Sequence, residues 1–197
     1  YETNILNKRT SSKESELQTV EWEKKYKKYE NYDQPRVVSV KVEANIFPKT
    51  LDANAKGTYV MVNKTSNAID SLFLNHNSSI STFEFNKETD LVLEDTLYNF
   101  DIYKLKNSLY PGDSINLFFT IKNKPNTIIR NNSSVVSNGT FLNNSAFPSF
   151  GYPGGELRDD KTREKYNLPP NKLKPHPSDS TAPVSYTHLT LPTMRLV

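Results

Sequence analysis

Two adjacent asparagines, Asn143 and Asn144, are the side chains best suited to hydrogen-bond a ligand, and they lie in a run of turn and aromatic residues, 138–163. Asn-Gly at 138–139 and Pro-Gly-Gly at 153–155 favour turns, because Gly adopts positive φ without strain and Pro fixes φ. The aromatic residues between these turns supply apolar area that must be buried: Phe141, Phe147, Phe150 and Tyr152. The pattern predicts a surface element attached to a core, in which the two amides either contact a ligand or only cap a turn.

The residue types needed for peptide hydrolysis are present but not arranged as a catalytic site. Zinc peptidases of one large class bind the metal with His-Glu-x-x-His on a helix, where two imidazoles lie one turn apart and the glutamate acts on water. His76, His176 and His188 are isolated, so none has the neighbours that a metal site needs. No Gly-x-Ser-x-Gly motif is present, and Gly154-Gly155 lacks the further glycines and the lysine of a phosphate-binding loop. We expect no catalytic residue and no metal ligand in this chain.

Carboxylates that could work as an acid–base pair occur next to basic residues. A solvated ion-pair cluster is favoured over a buried catalytic pair here, because exposed pairs barely shift the pKa of their members. The same interpretation applies to Glu94-Asp95. The clustered residues are Glu156, Arg158, Asp159, Asp160 and Arg163.

The composition limits the class of protein. The 197 residues suffice for one ordinary domain, but 35% hydrophobic content with 12 prolines predicts a packed middle and poorly packed ends. A net charge of +3 from 25 basic and 22 acidic residues, well mixed, argues against nucleic acid as the main partner. Without cysteine the chain has neither disulfides nor a thiolate metal site. It shows no signal-like start and no apolar run of roughly 20 residues, so we expect any membrane attachment to lie outside this sequence.

An N-terminal helix is predicted over residues 15–32. Ser15 can cap it, and Trp22, Tyr26 and Tyr29 recur at helical spacing among lysines and glutamates. Either this helix is a stalk that leads from a membrane segment, or it is an amphipathic helix that lies on its own domain. Pro35 ends it.

The central part of the chain is predicted to be β structure. Apolar residues alternate with polar ones over 38–46 and again over 115–121, which is the period of half-buried strands. Short strands separated by turns favour an antiparallel β-sandwich or saddle. Further strands are predicted at 57–63, 69–74, 82–85, 91–93, 100–105 and 135–142, with a polar turn at 52–56.

Several short motifs occur in an order that resembles one family. They are Gly57-Thr-Tyr with Asn63-Lys-Thr65, Tyr110-Pro-Gly-Asp-Ser114, and the run at 138–163. Over about residues 22–182 the chain resembles the N-terminal β domain of M1-type zinc aminopeptidases, in the subgroup whose peptidase is fused behind an ABC-2-type membrane permease. The resemblance implies a domain that shapes a peptidase cleft without holding the catalytic zinc.

The resemblance also implies a role for Asn143. Family members place a polar side chain from a Thr-Gln-x-Glu segment against the free amine of the peptide, and Thr140-Phe-Leu-Asn143 occupies the matching position. Asn143 stands where an acidic residue is usual, and an amide accepts a hydrogen bond from an ammonium without adding an opposing charge, so the contact should be weaker. Phe147-Pro-Ser-Phe150 resembles the Phe-Pro-Cys-x segment of the family, with Ser149 in place of cysteine.

These observations predict four regions. Residues 1–33 are a lead-in and an amphipathic helix, 34–157 are an M1-like N-terminal β domain that is truncated, and 158–183 are a charged turn and a Pro-rich linker. Residues 184–197 resemble the translation of a transposon-type sequencing adaptor, and we expect the natural chain to continue beyond Pro183.

The expected function is that of a non-catalytic wall of a membrane-associated M1-like metallo-aminopeptidase, which contacts the peptide N-terminus through Asn143 and Asn144. The expected partners are a zinc-bearing catalytic domain of the same chain, a peptide and, through an upstream segment, a membrane, at the extracytoplasmic face. No cofactor is expected in this fragment. Two other interpretations stay open: a stand-alone cell-surface β-sandwich binding module, and a permease-associated domain without peptidase activity.

Overall fold

The structure is a computed structural model that describes residues 11–77, 79–123, 135–136, 139–140 and 144–170. Its helices are α1 (Ser12–Tyr26) and α2 (Asp160–Lys165), with 3-10 turns at Lys27–Tyr29 and Asn144–Ala146. Its strands are β1 (Arg36–Phe47), β2 (Asp52–Val62), β3 (Ile69–Asn75), β4 (Ile80–Phe85), β5 (Thr89–Asp95), β6 (Phe100–Leu109), β7 (Ser114–Asn123), β8 (Val135–Val136), β9 (Gly139–Thr140) and β10 (Ser149–Phe150). Of the described residues, 11–20 and 156–170 belong to one compact unit, and those within 21–155 belong to another.

The larger unit contains two antiparallel four-stranded sheets, which we name sheet A and sheet B. Sheet A has the order β1-β2-β7-β4, and sheet B has the order β10-β3-β6-β5. β8 and β9 form a separate two-stranded antiparallel sheet. The fold is therefore mainly β with an N-terminal helix, as the alternation of apolar and polar residues predicted.

The core of this unit lies between the inner faces of the two sheets. Alternate residues of β2 and β7 face those of β3 and β6, because successive side chains of a strand point to opposite faces. The main buried members are Met61, Ile115, Leu117 and Phe119 from sheet A, and Leu72, Leu74, Leu105 and Leu109 from sheet B.

The outer face of sheet B carries a second, aromatic cluster. Trp22 and Tyr26 of α1 pack there against Phe73, Phe100 and Ile102. Tilted and edge-on ring contacts dominate, such as the 4.7 Å separation of the Tyr26 and Phe100 centroids at 61°. The C-terminal half of α1 thus covers one face of its own domain, which favours the second of the two interpretations of this helix.

The helix begins earlier than the sequence analysis expected. Ser11, not Ser15, caps it: the Glu14 amide donates to the Ser11 Oγ at 3.2 Å, and the Ser11 amide donates to Glu14 Oε2 at 2.8 Å. This reciprocal pair is a capping box, whose Ser-x-x-Glu pattern is present in the sequence at 11–14. Regular α-helix ends at Tyr26 and a 3-10 turn follows.

The smaller unit is organised around a buried arginine. Arg163 of α2 is 1% exposed, donating from Nε to the Pro169 carbonyl at 2.6 Å and from Nη1 to the Leu157 carbonyl at 2.8 Å. Asp159 caps α2 by accepting from the Thr162 amide at 2.9 Å. The prediction of a solvated ion-pair cluster is therefore wrong for Arg163. Its guanidinium is buried and donates hydrogen bonds to backbone carbonyls.

Two details of sheet A differ from the predicted pattern. Residues 52–56 begin β2 rather than forming a turn, since Ala53 and Ala55 alternate into the core. The chain reverses at 48–51 instead, where Leu51 has φ of +59°. β1, an edge strand of sheet A, is almost fully exposed rather than half-buried.

Candidate functional site

An open apolar groove runs along the inner face of β1. One wall is β1, with Val40 and Val42 pointing to the same face as Tyr59 of β2, because the pairs Val40–Tyr59 and Val42–Gly57 are in register. The opposite wall is the segment from Asn144 to Phe150. The groove has a volume of about 630 Å³.

Hydrogen bonds to β3 of sheet B hold the second wall in place. Phe150 lies opposite Leu74 where β10 pairs with β3, and the next residue, Gly151, donates its amide to the Phe73 carbonyl at 2.9 Å. The side-chain Nδ2 of Asn75 donates to the Gly151 carbonyl at 2.6 Å. Gly151 has φ of +91°, a conformation that other residues seldom adopt, so this glycine lets the chain turn immediately after the wall.

The floor of the groove is aromatic. Tyr59 is buried, and its ring meets the Phe119 ring edge-on, with centroids 4.9 Å apart. Phe147 of the second wall also contacts Phe119, at 6.4 Å between centroids. Burial raises the pKa of the Tyr59 hydroxyl, so the group stays protonated at neutral pH and keeps its capacity to donate.

The polar groups of the groove are few. Arg36 carries the one charge among the described residues that line it, and Asn144 and Ser149 add neutral polar groups. An apolar channel with a cation and an amide at its border is suited to an extended peptide segment, since such sites combine apolar contact with a few orienting hydrogen bonds. Among the described residues that line the groove, no nucleophile is paired with a base, so their side chains can bind and orient a ligand.

The two predicted site residues have different outcomes. Asn144 is exposed, begins the 3-10 turn, and accepts the Phe147 amide through its carbonyl at 3.2 Å. It lies on the second wall of the groove, beside the segment that resembles the family's Phe-Pro-Cys-x. Asn143 lies outside the described residues, and the roles of both asparagines remain predictions.

A second cluster of titratable groups lies at the ends of β3 and β6. His76 Nε2 is 3.2 Å from Asp101 Oδ2, and its ring meets the Phe83 ring at 5.0 Å between centroids. Asp101 is 5% exposed, and its Oδ1 has no hydrogen-bond partner among the described residues. Burial raises the pKa of Asp101, although His76 opposes the shift.

This cluster does not form a metal centre. In the described ranges no three His, Cys, Asp or Glu side chains come close enough to hold an ion. The described residues therefore do not provide the ligands that zinc requires. Nor is any helix in the described part long and apolar enough to cross a membrane.

Sequence reasoning missed most of the groove. The alternation of valines in β1 predicts a buried face, but it does not indicate that sheet B leaves this strand uncovered.

The prediction that Glu94-Asp95 is solvated is wrong for Asp95. Its carboxylate accepts a hydrogen bond from the Tyr26 hydroxyl and one from Lys25 Nζ at 2.6 Å. Burial raises the pKa of Asp95, but these hydrogen bonds outweigh it and the net shift is downward.

Comparisons with known proteins give a weak likeness to solved structures. No protein-family model matches the chain, and no curated protein matches it. Among solved structures, part of the chain is similar to part of a variant of a two-domain M1 zinc metallopeptidase that was crystallised with L-tryptophan. The TM-score is 0.36 at 12% identity, and the match covers 47% of this chain and 21% of that one. A likeness at this level carries no argument about the activity of this chain.

Proposed function

We propose that this chain is the non-catalytic β domain of an M1-like zinc aminopeptidase and walls one side of its peptide-binding cleft. The peptide lies along the inner face of β1, and residues 143–144 contact its free amine. The catalytic zinc belongs to a further domain of the parent protein. Attachment to a membrane permease at the extracytoplasmic face belongs to the same proposal and rests on sequence resemblance alone.

One observation carries the proposal. The segment that resembles the family's Phe-Pro-Cys-x, Phe147–Phe150, forms a wall of the apolar groove, and Asn144 lies on the same wall. Of the two asparagines chosen on sequence grounds, Asn144 therefore borders the concave surface, which supports the proposal. The described lining holds no nucleophile paired with a base, which fits a domain that positions a peptide for chemistry supplied elsewhere.

The first experiment is to sequence the natural gene beyond codon 183 and to express the complete reading frame. The proposal expects His-Glu-x-x-His downstream, zinc bound in equal amount to protein, and release of N-terminal amino acids from aminoacyl nitroanilides. A frame that stops soon after codon 183 would contradict it and would favour the stand-alone binding module, which the uncovered groove also suits.

The second experiment tests the amine contact in the complete enzyme. Asn143→Ala should raise KM for free-amine substrates by about ten-fold with a smaller change in kcat, because a hydrogen bond to a charged group contributes roughly 1.5–3 kcal/mol. Asn144→Ala should have the smaller effect of a wall residue. Asn54→Ala is the matched control, since Asn54 is exposed on β2 and lies in register with Asn45 on the face opposite the groove. Equal kinetics in all three variants would remove Asn143 from the site.

A further inference from the structure

β1 closes sheet A with an edge that no described residue pairs. The sheet runs β1-β2-β7-β4, so β1 has β2 on one side only. The N–H and C=O groups that point away from β2 form a template for another strand. Apolar side chains along this edge are exposed as well, including Val40 at 57% and Phe47 at 47%. A long open edge with apolar side chains is the form of surface that adds a strand.

The sequence of β1 is self-complementary when it is laid antiparallel to its own copy. We propose that two copies of this chain associate through β1, about a two-fold axis at Val42, and join their four-stranded sheets into one sheet. In this register Lys41 lies opposite Glu43 of the other copy, and Val40 lies opposite Ala44. Ser39 lies opposite Asn45, and Val42 meets its own copy. Every pair therefore matches apolar with apolar, polar with polar, or positive with negative.

The faces of the strand agree with this register. Val40, Val42 and Ala44 point inward, because their partners on β2 are Tyr59, Gly57 and Ala55. Lys41 and Glu43 point outward, and Lys41 Nζ lies 3.1 Å from Glu43 Oε1 within one strand. A two-fold axis normal to the sheet keeps inner faces together, so each copy contributes apolar side chains to one side and charges to the other.

The other registers are disfavoured. An axis at Lys41 or at Glu43 brings like charges directly opposite each other, which destabilises a strand pair. An axis between two residues would set an inward side chain against an outward one. Only the register about Val42 places Lys41 of each copy opposite Glu43 of the other.

A lysine and a β-bulge on β1 protect its open edge, and both are compatible with pairing about Val42. A charged lysine and a β-bulge are devices that prevent unwanted strand pairing. The register of β1 on β2 shifts between Val37 and Ser39, so the bulge lies outside the regular part at 39–45. Lys41 disfavours pairing with a strand that carries no negative charge. In a second copy of this chain, Glu43 supplies that charge.

A charge-swap experiment on the full 197-residue chain tests the proposal. Sedimentation equilibrium should show the mass rising with concentration from 22.5 kDa toward twice that value. Lys41→Glu and Glu43→Lys should each weaken self-association by about ten-fold or more, because each sets like charges opposite each other twice. An equimolar mixture of the two variants should associate again, since every cross pair is then opposite in sign. Lys106→Glu, an equal change of charge on β6, should behave as the wild type.

A cross-linking experiment provides an independent readout. The chain has no cysteine, so Val42→Cys introduces one thiol that faces its own copy at about 4.5–5.5 Å between Cα atoms, within the range of a disulfide. Mild oxidation should give a covalent dimer at dilute concentration. Val92→Cys on β5, the edge strand of sheet B, is the control and should not cross-link, although Val92 is 63% exposed. A wild-type chain that stays monomeric to millimolar concentration, single variants that associate like the wild type, or equal cross-linking at both positions would overturn the proposal.

Discussion

At the scale of single residues, two buried polar side chains differ in how many of their polar atoms have hydrogen-bond partners. Asn63 uses its whole amide: Nδ2 donates to the carbonyls of Asn67 and Leu109, each at 2.7 Å, and Oδ1 accepts the Thr65 amide at 2.9 Å and its hydroxyl at 2.8 Å. Asp101 is comparably buried, but one of its oxygens lacks a partner among the described residues. Asn63 therefore fixes the loop after β2, and Asp101 is the group whose burial opposes folding.

Asp101 makes the stability of the protein depend on pH. Burial raises the pKa of its folded carboxyl, so the folded state binds the proton more tightly than the unfolded state. The resulting stabilisation is present below the unfolded pKa, which is about 3.9 for aspartate, and is lost as pH rises through the folded pKa. Asp101→Asn removes this dependence, so its free energy of unfolding should improve relative to wild type as pH rises above the unfolded pKa.

Urea unfolding at a series of pH values measures this difference. Asp70→Asn, at an exposed aspartate on β3, controls for the loss of one negative charge. A difference between Asp101→Asn and wild type that stays flat, or that moves in favour of the wild type as pH rises, would show that the ion pair with His76 outweighs burial.

At the scale of elements, the pairing of β2 with β7 depends on one glycine. Gly57 lies opposite Phe119, and the Phe119 ring covers the space that a side chain would fill. A Cβ at position 57 would come within 2.0 Å of Phe119 Cζ. Phe119 is buried and contacts the rings of Tyr59 and Phe147, so it has no free direction to move.

Gly57→Ala should therefore have the reverse of its usual sign. In an ordinary strand interior the change stabilises by roughly 0.5–1 kcal/mol, because glycine loses more backbone entropy on folding. Here it should destabilise by about 1–3 kcal/mol through overpacking. Combined with Phe119→Leu, which opens the space, the same change should cost much less. Chemical denaturation of the four proteins in this cycle gives the coupling energy, and independent effects would refute the close contact.

At the scale of the whole molecule, the sequence predicted what depends on local periodicity. The alternation in β1 and β7 marked strands, and the aromatic spacing of Trp22 and Tyr26 marked the buried face of α1. The exposure of β1 could not be predicted in this way, because alternation separates two faces of a strand without telling whether a second sheet covers either of them. The burial of Arg163 was hidden for a similar reason, since its partners are backbone carbonyls that carry no signature in the sequence.

The groove was predictable only in part. The segment at 144–150 was identified by its turn and aromatic residues, but its neighbour β1 lies about a hundred residues earlier in the chain. Strand order, which sets such neighbours, results from the packing of two complete sheets rather than from any one element.

Trp22 is the residue that joins the two ends of the larger unit. Its Nε1 donates to the Gly154 carbonyl at 2.9 Å across 132 positions, and its ring stacks on Tyr152 at 5.8 Å between centroids. Trp22→Phe keeps most of the ring contacts and loses the hydrogen bond, so it should reduce the free energy of unfolding by about 1 kcal/mol. Trp22→Ala also empties the aromatic cluster and should cost about 3–5 kcal/mol. Urea unfolding followed by far-UV circular dichroism measures both, because Trp22 is the only tryptophan and its fluorescence is lost in each variant. Equal losses in the two variants would mean that the hydrogen bond, rather than ring packing, joins the N-terminal helix to residues 152–154.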